Sequence, residues 1–410
     1  MLKIASLFGV LLFPVFSFAQ TLGFSLAEGQ RSVQIPIEIH NNLVVVPIVL
    51  NGQLPLKFIL DTGVRTAILT EKTFSDILNL SYSRKYTIAG PGGQKVVDAF
   101  VTNNVSLDLP GVHGEGHALL VLETDYLELR NFLGTDVHGI LGYELFSRFI
   151  VQIDYENKKL VLTTPQYFRK RVRFKSLPIT IEDTKPYLRA TVEINDSTKV
   201  NAKLLVDSGA SHGLVLEPSS DSRIAIPEPH IKSIIGRGLG GIISGQIGRI
   251  RAVDLGDFKI PEVICNFPDP NSYMDTLKAS RMIFRHGSIG GEILSRFTVI
   301  FDFPAEKIHL KKNHSYRKNF YYNLSGLTLK AKGSSLHRFE ISDVRVNSTA
   351  EKAGLQVGDL ILKVNGLSST ELDLNTVNGF FNSKPGKKIT LDIERAGQRM
   401  KKTFRLETQI

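Results

Sequence analysis

The chain contains one long internal repeat, and its period is the size of a whole lobe. Phe58-Ile59-Leu60-Asp61-Thr62-Gly63 is matched by Leu204-Leu205-Val206-Asp207-Ser208-Gly209, an offset of 207 − 61 = 146 residues. Downstream, His138-Gly139-Ile140-Leu141-Gly142-Tyr143-Glu144 is matched by His286-Gly287-Ser288-Ile289-Gly290-Gly291-Glu292, an offset of 290 − 142 = 148. Arg148 and Asp154 recur as Arg296 and Asp302. Such a period is far too long for a stacked solenoid. It implies two similar lobes, and an approximate twofold axis would bring their equivalent residues together.

Strand signals dominate both lobes, at residues of about 30–165 and 176–312. Leu43 to Leu50 is apolar and β-branched, Asn51-Gly52 is a hairpin turn signal, and Leu56 to Leu60 returns to Asp61. In the second lobe Tyr187 to Ile194 runs out, Asn195-Asp196 turns, and Val200 to Val206 returns to Asp207. Thr70 to Leu80 reads as a short helix with Thr70 as its N-cap. A glycine-rich stretch follows each triad, with Gly92 and Gly93 in the first lobe and Gly238 and Gly240 in the second. Each is either a plain surface turn or the tip of a hairpin flap over a cleft.

With 410 residues, 42% hydrophobic and 22% charged, the chain has globular composition and room for two or three domains. Residues 1–19 read as a secretory signal peptide, with Lys3 before the apolar stretch Leu7 to Phe18 and small residues at Ser17 and Ala19. The expectation is an exported protein, periplasmic or extracellular in a bacterial envelope, with no membrane span after cleavage. The single cysteine, Cys265, excludes an intramolecular disulfide and a cysteine zinc site. The net charge of +10 is concentrated at Arg169 to Lys175 and Lys311 to Lys318, read as solvated linkers; no nucleic-acid motif accompanies it. The paired His138 and His286 read as repeated loop positions rather than a metal site, and no cofactor is expected.

Two carboxyls at contact cannot both ionise readily, so such a pair shares one proton. The charged member can take a proton from water as general base, and the neutral one can donate to a substrate carbonyl oxygen. Gly63 and Gly209 allow the tight turns that bring the loops face to face. The hydroxyls of Thr62 and Ser208 can bond to backbone of the opposite loop and fix the pair.

The two triads, each followed about 80 residues later by an apolar-apolar-Gly segment (Ile140-Leu141-Gly142 and Ser288-Ile289-Gly290), resemble the aspartic proteases of the pepsin and retropepsin kind. The resemblance covers roughly residues 30–312. It implies a mainly β fold of two closed, barrel-like acid-protease lobes, with Asp61 and Asp207 as the catalytic dyad. Where pepsin-like enzymes carry Ser or Thr after the triad, this chain has Val64 and Ala210. Losing that hydroxyl should shift the working pH toward neutral, and Arg65 would oppose the shift if it pointed inward.

Residues about 325–408 form a different, small α+β module. Ser348 or Thr349 caps a short helix ending at Gly354, and Leu374 to Phe381 reads as a second helix. Ala353-Gly354-Leu355-Gln356-Val357-Gly358-Asp359-Leu360-Ile361 is similar to bacterial PDZ domains. That implies binding of extended peptides by strand addition, with the carboxylate-binding loop near Gly326, Leu327 and Thr328.

The whole chain therefore looks like an exported aspartic endopeptidase, active as a monomer on peptide or protein substrates. A peptide-binding envelope protein of the same fold without turnover is the alternative.

Overall fold

The computed structural model describes residues 22–92, 96–270 and 283–410, so the expected signal peptide and Gly93 lie outside the described residues. Strands are numbered along the chain. The first lobe is one mixed sheet in the order β3 (Glu38–His40), β4 (Leu43–Leu50), β5 (Leu54–Leu60), β12 (Gly139–Leu141), β6 (Ala67–Leu69), β11 (His117–Leu122), β8 (Val96–Val105) and β7 (Arg84–Ala89). The second lobe repeats it strand for strand as β16 (Thr180–Glu182), β17 (Lys185–Glu193), β18 (Lys199–Val206), β23 (Gly287–Ile289), β19 (Leu214–Leu216), β22 (Phe258–Pro268), β21 (Gly241–Leu255) and β20 (His230–Gly238).

Both sheets close on themselves. The long β21 pairs back onto β17, with Val253 opposite Val192. In the first lobe the same closure is made by β9 (Leu107–Asp108), whose Leu107 lies opposite Leu50 of β4. A short ribbon of β1 (Gly23–Leu26) and β10 (Val112–Glu115) flanks this lobe.

A third sheet joins the lobes in the order β15 (Lys175–Pro178), β25 (Lys307–Lys312), β24 (Phe297–Asp302), β13 (Ile150–Asp154), β14 (Lys159–Thr163) and β2 (Ser32–Pro36). At its centre Gln152 pairs with Ile300, and 300 − 152 = 148 is the repeat offset itself. Each residue of that central pair thus faces its own repeat equivalent, and the pseudo-twofold axis passes between them. Phe146 packs on Phe301 and Phe303, with ring centroids 5.3 Å apart in each pair, and so ties the first lobe to this sheet.

The turn residues explain much of the local path. Asn51 and Gly52 take φ of 50° and 64°, as a tight hairpin between β4 and β5 requires. A second pair of left-handed turns was not read from the sequence: Asn41 and Asn42 (φ 48° and 65°) before β4, and Asp183 and Thr184 (φ 45° and 69°) before β17. Thr70 does not cap the helix α1 (Lys72–Ile77). Its hydroxyl donates to the His138 carbonyl at 2.9 Å, and Glu71 holds the capping position without a side-chain bond.

His138 and His286 serve the same local purpose in each lobe. Each ring Nδ1 accepts a backbone N–H, from Lys57 at 3.1 Å and Lys203 at 3.0 Å respectively. Among the described residues no group of histidine, cysteine and carboxylate side chains could hold a metal ion, and no helix is long and apolar enough to cross a bilayer. The charges at Arg317 and Lys318 are solvated as expected, but the backbone around them is anchored. Phe320, Tyr322 and Leu324 are buried, and the buried Arg296 guanidinium donates to the carbonyls of Ser315, Lys318 and Asn319.

The C-terminal module is a small sheet in the order β26 (Leu327–Lys332), β27 (Arg338–Val344), β28 (Leu360–Val364), β30 (Lys388–Arg395) and β31 (Gln398–Arg405), with β29 (Leu367–Ser368) beside β28. Among the described residues the remaining helices are α2 (Leu129–Leu133), α3 (Tyr143–Phe146), α4 (Gly291–Leu294), α5 (Thr349–Lys352) and α6 (Leu374–Phe381), numbered with α1 in chain order. Ser348 caps α5 by accepting from the Glu351 amide, and Asp373 caps α6 by accepting from the Thr376 amide.

Candidate active site

The two triads meet at the interface between the lobes. Strand β5 runs parallel to β12 and ends at Leu60, and β18 runs parallel to β23 and ends at Val206. The Asp61 amide donates to the Leu141 carbonyl and the Asp207 amide to the Ile289 carbonyl, both at 2.8 Å. Each aspartate is therefore fixed by backbone to the segment the repeat supplied. Gly142 and Gly290 lie beneath, where a Cβ would overlap the carbonyls of Val64 and His212.

Thr62 and Ser208 are fully buried and lock the loops together reciprocally. The Thr62 hydroxyl donates to the Val206 carbonyl at 2.6 Å and accepts from the Ser208 amide at 3.0 Å. The Ser208 hydroxyl donates to the Leu60 carbonyl at 2.9 Å and accepts from the Thr62 amide at 3.1 Å. Every one of these four bonds crosses between the lobes, so the carboxyl separation is set by backbone rather than by free rotors.

The glycines complete the geometry. The Gly63 amide donates to Asp61 Oδ1 at 2.6 Å and the Gly209 amide to Asp207 Oδ1 at 3.0 Å. A Cβ on Gly209 would overlap the Asp61 carboxylate, and one on Gly63 would sit 3.0 Å from Asp61 Oδ1 and 3.5 Å from Asp207 Oδ1. Burial first, and then the charge of the adjacent Asp207, push the Asp61 carboxyl well above the usual carboxylate range; the Gly63 amide and Lys185 pull the other way. Lys185 was not singled out in the sequence, because nothing local marks it. Arg65 points away into solvent, 3.7 Å from Asp183.

Each lobe also reaches across to the loop behind the opposite triad. Asn42 donates through Nδ2 to the Ser211 carbonyl at 3.3 Å, and Asp183, in the equivalent turn, faces Arg65. The repeat pair Glu144 and Glu292 has diverged. Glu144 lies 2.6 Å from His117 Nδ1, whereas β22 offers no histidine, and burial pushes the Glu292 carboxyl up to about 7. His212, which follows the second triad, touches the Ser288 hydroxyl at 3.0 Å and is pushed down to about 4 by burial.

The two glycine-rich hairpin tips touch each other. The Gly240 amide donates to the Pro91 carbonyl at 2.8 Å. A Cβ on Gly92 would overlap the backbone of Gly241, and one on Gly238 would overlap the Pro91 carbonyl. Between them Leu239 packs against an apolar cluster of the first lobe that includes Ile68, Ile88, Leu127 and Ile140.

In the C-terminal module Gly326 takes φ of 82°. Its amide is held by Asn323 Oδ1 at 3.0 Å, and that of Leu327 by Ser325 Oγ at 3.1 Å. A peptide carboxylate arriving there would compete with these side-chain oxygens. Thr328 lies at the start of β26, where its carbonyl accepts from the Ser342 hydroxyl.

The aspartyl protease family profile matches twice, at residues 46–145 and 190–292, and a PDZ domain profile matches residues 340–395. The chain is 37% identical over 86 residues to the regulator of sigma-E protease RseP of Salmonella typhimurium (strain 14028s / SGSC 2262), covering 21% of this chain and 18% of that protein. It is 38% identical over 73 residues to a probable CtpA-like serine protease of Staphylococcus saprophyticus, covering 18% of this chain and 14% of that protein. The chain thus spans less than a fifth of the length of these relatives, in stretches the size of the PDZ module. Its two protease profile matches fall on the two repeated lobes, and by them the chain belongs to the aspartyl protease family, with a PDZ domain following the second lobe.

Proposed function

We propose that the protein is an aspartic endopeptidase in which Asp61 and Asp207 activate one water between them. The observation that carries this reading is the reciprocal bonding of Thr62 and Ser208 across the lobe interface, which holds two carboxyls in contact at a cost that a pure binding protein has no reason to bear. The dyad keeps one proton. Its ionised member takes a proton from the water, which attacks the peptide carbonyl carbon. Its protonated member donates to the carbonyl oxygen, and the resulting gem-diol collapses with proton transfer to the leaving amine. No metal or cofactor enters these steps.

The hairpin tips at Gly92 and at Gly238 and Gly240 act as flaps, which part to admit an extended chain and shut out bulk water when closed. The PDZ domain recruits peptide or protein substrates along β26. Both halves of the site lie in one chain, so the enzyme works as a monomer. The lysine-led apolar segment at residues 1–19 directs it to export.

The test is cleavage of a reduced, unfolded protein from pH 4 to 7.5 by the parent chain, Asp61→Asn and Asp207→Asn. Each substitution should lower the rate by about a thousandfold or more, since it removes an acid–base partner outright. Cleavage persisting in both variants, or absent from the parent across this range, would sink the proposal.

A further inference from the structure

Strand β26 ends the PDZ sheet and pairs with β27 on one side only. Its other side is not open to solvent, because helix α2 of the first protease lobe stands against it. Asn131 donates through Nδ2 to the Ala331 carbonyl at 2.8 Å. Arg130 donates to the carbonyls of Ser334 at 2.8 Å and Gly333 at 3.4 Å. Just past α2, Gly134 approaches α6 so closely that a Cβ there would lie 2.5 Å from Leu374 Cβ. The lobe thus contacts both walls of the groove between β26 and α6; Asn131 takes a β26 carbonyl, that of Ala331, which an added strand would need, and Arg130 holds the turn just beyond the strand.

The residue at the start of α2 connects this contact to the active-site cover. Glu128 receives Lys330 of β26 on both oxygens, at 2.8 and 2.9 Å. The same carboxylate lies 3.4 Å from Arg237, which sits in β20 next to the hairpin tip. The Phe132 ring lies under both cations, 5.0 Å from Lys330 Nζ and 4.8 Å from the Arg237 guanidinium. One carboxylate and one ring are therefore shared between the PDZ domain and the second lobe's hairpin. Lys330 reaches that hairpin through this pair alone among its described contacts. A shared network of this kind holds more firmly than an isolated surface pair.

We propose that the PDZ domain clamps the β20–β21 hairpin through Glu128 and Phe132, and that α2 competes with an extended peptide for the β26 edge. A peptide pairing with β26 must displace Asn131 and α2 with it, which carries Glu128 and Phe132 away from Arg237. Ligand capture at the PDZ domain is then coupled to opening over Asp61 and Asp207. The coupling to cleavage rests on the endopeptidase reading above, but the clamp itself does not.

The experiment is hydrogen exchange on the full chain, read at the hairpin tip and at β26. Glu128→Gln should speed exchange of the tip amides by about fivefold, the population shift expected from losing one shared ion pair. Lys330→Arg, which keeps the second cation, should leave the parent rate unchanged. Arg130→Ala with Asn131→Ala should speed both β26 and the tip. Thermal melting of each variant separates these changes from global unfolding. Tip exchange within twofold of the parent in a folded Glu128→Gln chain would overturn the clamp. Unchanged β26 exchange in the double variant would overturn the competition. A parent chain that cleaves nothing would count against the endopeptidase reading and leave these exchange results to decide the clamp.

Discussion

At the scale of single residues, the site depends more on Thr62 and Ser208 than on the rotamers of Asp61 and Asp207. Thr62→Val keeps the volume but strands the Ser208 amide and the Val206 carbonyl, both buried. Losing two buried partners should cost about 2–4 kcal/mol, seen as a lower denaturant midpoint and a fall in cleavage larger than the stability loss alone predicts. Gly209→Ala should abolish cleavage while leaving most of the fold intact, because its Cβ has no space beside the Asp61 carboxylate. Glu292 makes a pH prediction. Its folded pKa of about 7 lies above the ordinary 4.5, so the fold is favoured fully below the lower value and loses stability as pH rises through the upper one. The loss is roughly 3 kcal/mol. Glu292→Gln should therefore match the parent in melting temperature near pH 4 and exceed it near pH 8; equal melting temperatures at pH 8 would refute the assignment. The triads and their meeting at the lobe interface were legible because duplication printed them twice. Lys185 and the loss of the histidine partner of Glu292 were not, because both depend on which strands become neighbours.

At the scale of elements, turn chemistry was the most readable part. Asn51-Gly52, the Ser348 cap, Gly354 and the span of α6 follow from local residue preferences. What failed locally was decided by tertiary partners. Thr70 has the right side chain for a cap, but the neighbouring His138 carbonyl claims its hydroxyl. The chain after β25 looks like a charged linker, yet Arg296 holds its carbonyls from beneath. The β20–β21 hairpin is a case where sequence shows a glycine-rich tip and not what the tip touches. Leu239 closes on the first lobe's apolar cluster, so Leu239→Asp places a charge there and should hold the hairpin away. We expect kcat/KM for an unfolded substrate to fall about tenfold or more, with a melting temperature close to the parent's, since docking of a tip is a local equilibrium. An unchanged kcat/KM would mean the hairpin does not cover the working cleft.

At the scale of the molecule, the repeat offset predicts two lobes and an axis, but not which strands lie on it. The axis runs through the central pair Gln152 and Ile300, in a sheet to which both lobes give equivalent strands. That sheet and the Thr62–Ser208 lock are the main hydrogen-bonded ties between lobes, and they act together: one fixes the rear of the two barrels, the other their facing loops. Strand β13 lies between β14 and β24, so the Gln152 amide donates to one neighbour or the other whichever way it points. Gln152→Pro removes that bond and forces the strand apart from its partners, which is why proline is kept out of central strands. If the lobes are one cooperative unit, the substitution should lower a single denaturation midpoint for both and abolish cleavage, although it lies outside the triad loops. If they are independent, one lobe should unfold at the parent's midpoint while the other fails, and two transitions should separate. The second outcome would mean that the carboxyl pair is assembled by the loop lock alone, with the joining sheet as a passive hinge.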